Sequence, residues 1–263
     1  MIAPGFQGVE TQLWIWLIAM IRPGAAFLAA PIFGNRAVPV QLRLILSLAL
    51  GMAAMNSITF TLPPGGIASI AGVLLVMGEV LAGLALGFAV QIGYAAAFVA
   101  GETIGNTMGL GFASMVDPQT GGSTQVVGQF LSILSTFLLL GMDGHLMLVS
   151  YVVESYRALP PGGPLVSADA LWGLVTFGGT LFGAGLTIAL PVGFALVMIQ
   201  LVMAMLARSA PALNIFAVGL PVSLMSGLIL LAMAAPIMGD GITGALRSGL
   251  EKAQSIAAGE GTP

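Results

Sequence analysis

The chain has 263 residues, of which 58% are hydrophobic and only 6% are charged, and its mean hydropathy is +1.06. Soluble domains carry about 25% charged residues, so ten acidic and seven basic side chains cannot cover a water-soluble surface, and the composition predicts a membrane protein. The net charge of −3 leaves no basic stripe for nucleic acid, and the absence of cysteine excludes disulfides, thiolate metal sites and cysteine nucleophiles.

Six apolar runs follow one another along the chain, and we expect them to form the helices of an all-α fold. The runs are residues 12–33, 40–62, 67–101, 125–153, 170–206 and 212–239. A membrane-spanning helix needs about 20 apolar residues, so the third and fifth runs are too long for one ordinary crossing. Either these two runs are broken into hairpins, or they do not cross a bilayer in the ordinary way. We expect the first run to be retained after synthesis, because no Lys or Arg precedes it as in a signal peptide.

Two ionisable side chains lie deep in apolar runs. Arg22 is near the middle of the first run, and Glu79 lies similarly deep in the third. Such groups must face protein or water rather than lipid, and they are functional candidates by default. An interior ion pair or cavity lining and a functional role, such as the midplane site of a small-solute transporter, both remain open. The two halves of the chain show no convincing inverted repeat of the kind that transporters often contain.

The loop charges do not predict an orientation in the membrane. If six spans alternate, three basic residues fall on each side of the bilayer. These are Arg36, Arg43 and Arg208 on one side, and Arg157, Arg247 and Lys252 on the other. The positive-inside rule depends on an imbalance of Lys and Arg, so it gives no direction here.

The segment 101–122, GETIGNTMGLGFASMVDPQTGG, separates the third run from the fourth and contains six glycines. Its first half predicts a loose helix end, with Gly101 and Gly105 on a face that allows close helix packing. In its second half, Asp117-Pro118 ends regular structure, because proline disfavours the α conformation in the preceding residue. The result is a short bendable loop between rigid apolar elements.

The side chains of this loop are largely apolar and include Leu110, Phe112, Met115 and Val116. Irregular backbone at membrane depth must be buried in protein or line a pore. Apolar side chains on such a loop can close a pore by excluding water. A water-excluding plug and a plain surface loop are equally compatible with these residues.

No pattern in the chain predicts catalysis, a metal site or a bound cofactor. His145 is the single histidine, and Asp143-Gly144 before it is a turn signal that favours a turn and helix cap over a ligand set. The sequence GLGFAS at 109–114 lacks the third glycine of a dinucleotide fingerprint. We therefore expect a protein that is not an enzyme.

Four segments together resemble the flagellar biosynthetic protein FliR family and its injectisome relatives. The first is the pattern GETIGNTMG followed by an apolar tract and VDP. The others, in chain order, are APIFGNRAVP at 30–39, GHLMLVSYVVESYRALPPG at 144–162 and LARSAPALNIFAVGLP at 206–221. The resemblance covers nearly the whole chain. One departure is Asn106, where relatives more often have an apolar residue.

The resemblance implies a fold in which a FliP-like helical part, residues 1–165, is followed by a FliQ-like helical hairpin and tail, residues 166–263. The hairpin turns at Arg208 and Pro211, and the loop 109–122 projects into a central channel. The implied plug consists of Gly109, Leu110, Gly111, Phe112, Ala113, Ser114, Met115, Val116, Asp117 and Pro118.

The resemblance also implies a function. The chain is expected to be a subunit of the flagellar type III protein export gate in the bacterial inner membrane, within the basal body. Its expected partners are FliP-like and FliQ-like subunits, FlhB and FlhA, with unfolded exported proteins as cargo. The alternatives are a virulence (injectisome) gate subunit, a small-solute membrane transporter, and a structural membrane protein that seeds assembly.

Overall fold

The computed structural model of this protein describes residues 7–55, 63, 66–111, 126–163, 166–209 and 215–259, with side chains at positions 7–11 and 215–217 excepted. These residues form α-helices joined by turns and short loops, and none of them lies in a β-strand. The prediction of an all-α fold is thereby confirmed for the described part of the chain.

Eight helices account for most of the described residues. They are α1 (Gln7–Ala19), α2 (Ile21–Ala29), α3 (Val40–Met55), α4 (Ile70–Thr107), α5 (Val126–Gly141), α6 (Gly144–Ala158), α7 (Ala168–Ser209) and α8 (Ile215–Ala257). Helices α4, α7 and α8 contain 38, 42 and 43 residues, which gives them lengths of about 57, 63 and 65 Å.

The long apolar runs are not broken into hairpins. Most of the run 67–101 lies in α4 and the run 170–206 lies in α7, so the first of the two alternatives offered by the sequence is wrong. Helix α7 continues through Pro191, and α8 continues through two further prolines. A proline inside a helix removes one main-chain hydrogen bond, and helices in membranes tolerate this loss because neighbouring groups pair with the freed carbonyl.

Four helical stretches in the described residues are long and apolar enough to cross a membrane. They are Gln12–Ala29, Ile70–Thr107, Ala168–Ser209 and Val218–Ala257. Helices α5 and α6, separated by a two-residue break, would together make a fifth. The described part of α3 has only 16 residues. The six alternating spans that the loop-charge count assumes are therefore not found among the described residues.

The chain divides into two compact units. The first consists of Met1–Ile92, Leu140–Gly178 and Arg247–Pro263. In it α3 packs on α1, α2 and α6, and α4 lies close to α2. A Cβ atom added at Gly83 would come within 2.8 Å of the Ala25 Cβ, and one at Gly87 within 2.9 Å of the Ala29 Cβ. Only glycine permits this distance between the two helices.

The second unit consists of Gly93–Leu139 and Gly179–Leu246. Its core is formed by the second half of α4, most of α5 and the middle parts of α7 and α8. A Cβ atom at Gly185 would lie 2.8 Å from the Val99 Cγ1, and one at Gly241 would lie 2.9 Å from the Ile188 Cγ1. Helix α7 therefore packs on α4 at one point and on α8 at another.

Candidate functional site

The C-terminal end of α4 is closed by a specific main-chain motif. Gly109 has a φ of 86°, and its N–H donates to the Asn106 carbonyl at 3.1 Å while the Leu110 N–H donates to the Gly105 carbonyl at 3.0 Å. These two bonds and the left-handed glycine define a Schellman motif. Leu110 lies over Gly105, since a Cβ atom added at Gly105 would be 3.8 Å from the Leu110 Cδ1. The helix end that the sequence predicts is therefore a fixed structure.

Two further helices of the same unit contact this end. The Gln200 side chain of α7 donates from Nε2 to the carbonyl of Thr107, the last residue of α4, at 2.6 Å. Met108 is 1% exposed, and it fills a notch in α8, because a Cβ atom added at Gly227 would lie 2.6 Å from the Met108 Cγ. The end of α4 is thus held by one hydrogen bond and one close packing contact.

A cavity of about 530 Å³ adjoins the end of α4. Asn106, Gln200 and Ser223 contribute amide and hydroxyl groups to its wall, and Met203 and Leu220 contribute apolar surface. None of these side chains titrates in the physiological range. The amide and hydroxyl groups that line the cavity can accept and donate hydrogen bonds, but they cannot serve as an acid or a base.

The predicted glycine face is used inside the chain at one of its two positions. A Cβ atom at Gly101 would lie 2.5 Å from the Gly128 Cα and 2.6 Å from the Val127 carbonyl oxygen, so α4 and α5 touch backbone to backbone there. The nearest atoms to a Cβ at Gly105 are at 3.8 Å, an ordinary contact distance. Only Gly101 requires glycine for packing.

The predicted plug lies only partly within the described residues. Gly109, Leu110 and Gly111 are described, and the remaining plug residues, 112–118, lie outside them. Arg208 is in the last turn of α7, while Pro211, its predicted partner in the hairpin turn, lies outside the described residues.

In the first unit, the structure brings Arg22 and Glu79 together. The Arg22 Nε donates to the Glu79 Oε2 at 2.9 Å, and Nη2 donates to Oε1 at 2.7 Å. Each residue is 2% exposed. This two-point geometry is the strongest that an arginine and a carboxylate can adopt, and it joins α2 to α4.

The remaining surroundings of Arg22 come from α6 and the residue after it. Arg22 donates to the Ser155 Oγ at 3.0 Å and to the Leu159 carbonyl at 2.7 Å. Its guanidinium carbon lies 4.1 Å from the centre of the Tyr156 ring, whose hydroxyl donates to the Ala19 carbonyl at 2.7 Å. The arginine therefore connects three helices.

A cavity of about 270 Å³ reaches this ion pair. Apart from Arg22 and Glu79, its wall is made of apolar side chains, glycines and Pro160. The volume is large enough for water. Arg22 and Glu79 therefore form an interior ion pair and also line a cavity, so these two interpretations of the sequence both apply. The transporter interpretation gains little, because the guanidinium already donates to Glu79, Ser155 and Leu159.

Asp143 and His145 lie at the break between α5 and α6. Asp143 has a left-handed conformation, with a φ of 57°, and is the N-cap residue of α6, although its side chain makes no capping hydrogen bond. The predicted turn and helix cap are both at this position. In the part of the chain that the structure describes, no group of three or more His, Cys, Asp or Glu side chains could hold a metal ion.

Gln200 is a site residue that the sequence motifs do not indicate. A signal was available, since Gln200 is the single polar side chain between Thr187 and Arg208 in a long apolar run. A polar residue in such a run is expected to hydrogen-bond to a neighbouring helix. The sequence does not show which helix supplies the acceptor.

Long apolar helices, a buried ion pair between them and wide apolar outer surfaces define an all-α integral membrane protein. Residues 13–249 match the protein family described as bacterial export proteins, family 1. The chain belongs to this family and, within it, to the flagellar biosynthetic protein FliR family, as the sequence motifs predict.

Three relatives illustrate the similarity. The flagellar biosynthetic protein FliR of Pectobacterium carotovorum subsp. carotovorum is 36% identical over 227 residues, 85% of this chain and 86% of that protein. The Escherichia coli (strain K12) protein of the same name is 34% identical over 86% of this chain and 85% of its own length. The Bacillus subtilis (strain 168) protein is 29% identical, with 85% and 86% covered.

Proposed function

We propose that this chain is a subunit of the flagellar type III protein export gate, in the inner membrane part of the basal body. In this proposal it assembles with FliP-like and FliQ-like subunits, and also with FlhB and FlhA, around a channel for unfolded flagellar proteins. Family membership supports the export function, and the name of the relatives supports the flagellar rather than the virulence system.

The apolar surface of α7 is the main observation that supports assembly with other subunits. Exposed large apolar side chains extend along this helix from Trp172 to Leu206, a distance of about 51 Å along the axis. A hydrocarbon core is about 30 Å thick, and even a helix tilted by 40° has only about 39 Å of its length inside it. Even at that tilt, about 12 Å of the apolar surface lies outside the hydrocarbon core, where contact with water is costly. Contact with other protein subunits removes this cost.

The plug is proposed to be residues 109–118. Two described features support it: the Schellman motif ends α4 at a defined residue, and Leu110, which begins the apolar tract, is the last residue of that motif. Apolar side chains that continue from a fixed helix end can close a narrow pore by excluding water.

The division into a FliP-like part, residues 1–165, and a FliQ-like hairpin, residues 166–263, also remains a proposal. Helices α7 and α8 are joined by only five residues, 210–214, and are close together at Gly241 and Ile188. Both features are consistent with an antiparallel helical hairpin. The channel would then be lined by contributions from both parts.

Isolation of the tagged chain from native membranes tests the assembly. Co-purification of FliP-like and FliQ-like chains in fixed ratio is the expected result. A chain that purifies alone and is stable as a monomer in lipid would contradict the proposal, and solute uptake by that monomer in vesicles would favour the transporter instead.

Deletion of residues 110–116 tests the plug. We expect the deleted chain to assemble with its partners and to make the membrane permeable to small ions, because the water-excluding side chains are gone. Substitution of Leu110 and Phe112 by serine keeps the length of the loop and removes two of its apolar side chains. We expect this variant to have a conductance between those of the intact and the deleted chains. Unchanged conductance in an assembled deletion complex would contradict the plug.

A further inference from the structure

We propose that Gln200 is a positioning residue that holds the C-terminal end of α4, and with it the first residues of the proposed plug, in a fixed place. This inference rests on the proposed function for its consequence in the channel. Its structural part, the holding of residues 105–111, can be tested without any assumption about export.

The hydrogen bonding at the end of α4 explains why a side chain is needed there. A helix ends with four carbonyls that lack intrahelical partners. Near the end of α4, the Gly105 and Asn106 carbonyls are bonded within the Schellman motif. The Thr107 carbonyl accepts the Gln200 amide from a helix 93 residues away in sequence. A side-chain hydrogen bond between two membrane helices contributes about 0.6–1.7 kcal/mol, so this bond favours one position for the last residue of α4.

The surroundings of Gln200 indicate that its bond to α4 is specific. Its neighbours on α7 include the exposed apolar residues Val197, Met198 and Leu201, and the side chain is itself exposed. An amide on such a surface has a cost unless its donors are used. The 2.6 Å bond to Thr107 uses one of them on α4 rather than on its own helix. By contrast, the exposed Thr187 on α7 bonds only within its own helix, to the Gly183 carbonyl at 2.9 Å.

Met108 provides the second point of attachment. Its side chain lies in the notch at Gly227, where an added Cβ would come within 2.8 Å of three atoms of the methionine. Methionine fits irregular gaps and leaves them easily because its side chain is flexible. The end of α4 is therefore attached by a directional bond to α7 and a displaceable contact to α8.

The test compares Gln200→Met with Thr187→Val in the assembled, membrane-embedded protein. Methionine keeps the length of glutamine and removes the donor, while the valine control removes a hydroxyl that hydrogen-bonds within its own helix. Hydrogen exchange is measured for the peptide covering residues 105–111. Interhelical side-chain hydrogen bonds in membranes contribute about 0.6–1.7 kcal/mol, which corresponds to roughly 3- to 18-fold faster exchange of the Gly109 and Leu110 amides. If the exchange rate of this peptide is unchanged in Gln200→Met, as it is expected to be in Thr187→Val, the inference is overturned.

A second pair of variants keeps the inference testable if Gln200→Met does not assemble. Gly227→Ala displaces Met108 from its notch, and we expect faster exchange at 105–111. Gly239→Ala on the same helix meets no atom of the described residues within 4 Å and should leave that exchange unchanged. Equal exchange in the two variants would overturn the second attachment. Ion conductance of the 110–116 deletion is recorded separately. Faster exchange in Gln200→Met together with a non-conducting deletion would refute the plug and support the attachment, so the two failures can be told apart.

Discussion

Replacement of Glu79 by leucine leaves the Arg22 guanidinium buried without its anion. The variant loses two charge-assisted hydrogen bonds, of 2.9 and 2.7 Å, each worth about 1.5–3 kcal/mol. Breaking a buried ion pair on one side costs about 3–5 kcal/mol. Arg22 keeps the Ser155 hydroxyl, the Leu159 carbonyl and the Tyr156 ring, so we expect a loss of about 3 kcal/mol, at the lower end of that range.

The free energy of unfolding is measured by denaturant titration in mixed micelles, followed by fluorescence of the tryptophans in α1 and α7. Ser155→Ala is the matched control, because it removes one neutral acceptor from the same arginine and is expected to cost about 1.5 kcal/mol, the lower end for a hydrogen bond to a charged group. The double variant Arg22→Met, Glu79→Leu removes the uncompensated charge. It is expected to regain roughly 2 kcal/mol over Glu79→Leu. A single variant no less stable than Ser155→Ala, or a double variant less stable than the single one, would refute the electrostatic explanation.

Two further substitutions test packing and hydrogen bonding in the two units. Gly101→Ala places a methyl group 2.5 Å from the Gly128 Cα and is expected to lower the free energy of unfolding by about 1–3 kcal/mol. Gly183→Ala, which meets no atom within 4 Å in the part of the chain that the structure describes, is the control, and equal effects in the two variants would contradict the backbone contact. Tyr156→Phe removes a buried hydroxyl bond and is expected to cost about 1 kcal/mol; a neutral result in the same titration would count against that bond as a stabilising contact.

The sequence predicted the membrane environment, the all-α fold and the location of the end of α4. These depend on composition and on local glycine and proline chemistry, which a single sequence contains. The partners in tertiary contacts were not predictable in the same way. Arg22 and Glu79 are 57 residues apart, and Gln200 and Thr107 are 93 apart. Which side chains meet over such separations depends on the register between packed helices, and that register is set by glycine contacts such as the one at Gly101.

The glycines show why register could not be deduced from spacing alone. Gly83 and Gly101 of α4 each belong to a pair of glycines four residues apart, and Gly179 and Gly183 of α7 form a pair with the same spacing. In α4 the space above these glycines is filled by α2 or α5, whereas a Cβ at either glycine of α7 would meet no atom within 4 Å among the described residues. Identical sequence patterns therefore have different consequences, according to whether the chain itself supplies a neighbour. On α7 the open glycines occur among exposed large apolar side chains that include Val175, Phe182 and Leu186, on a surface longer than the hydrocarbon core is thick. A helix of another subunit would find there both a close approach and an apolar contact.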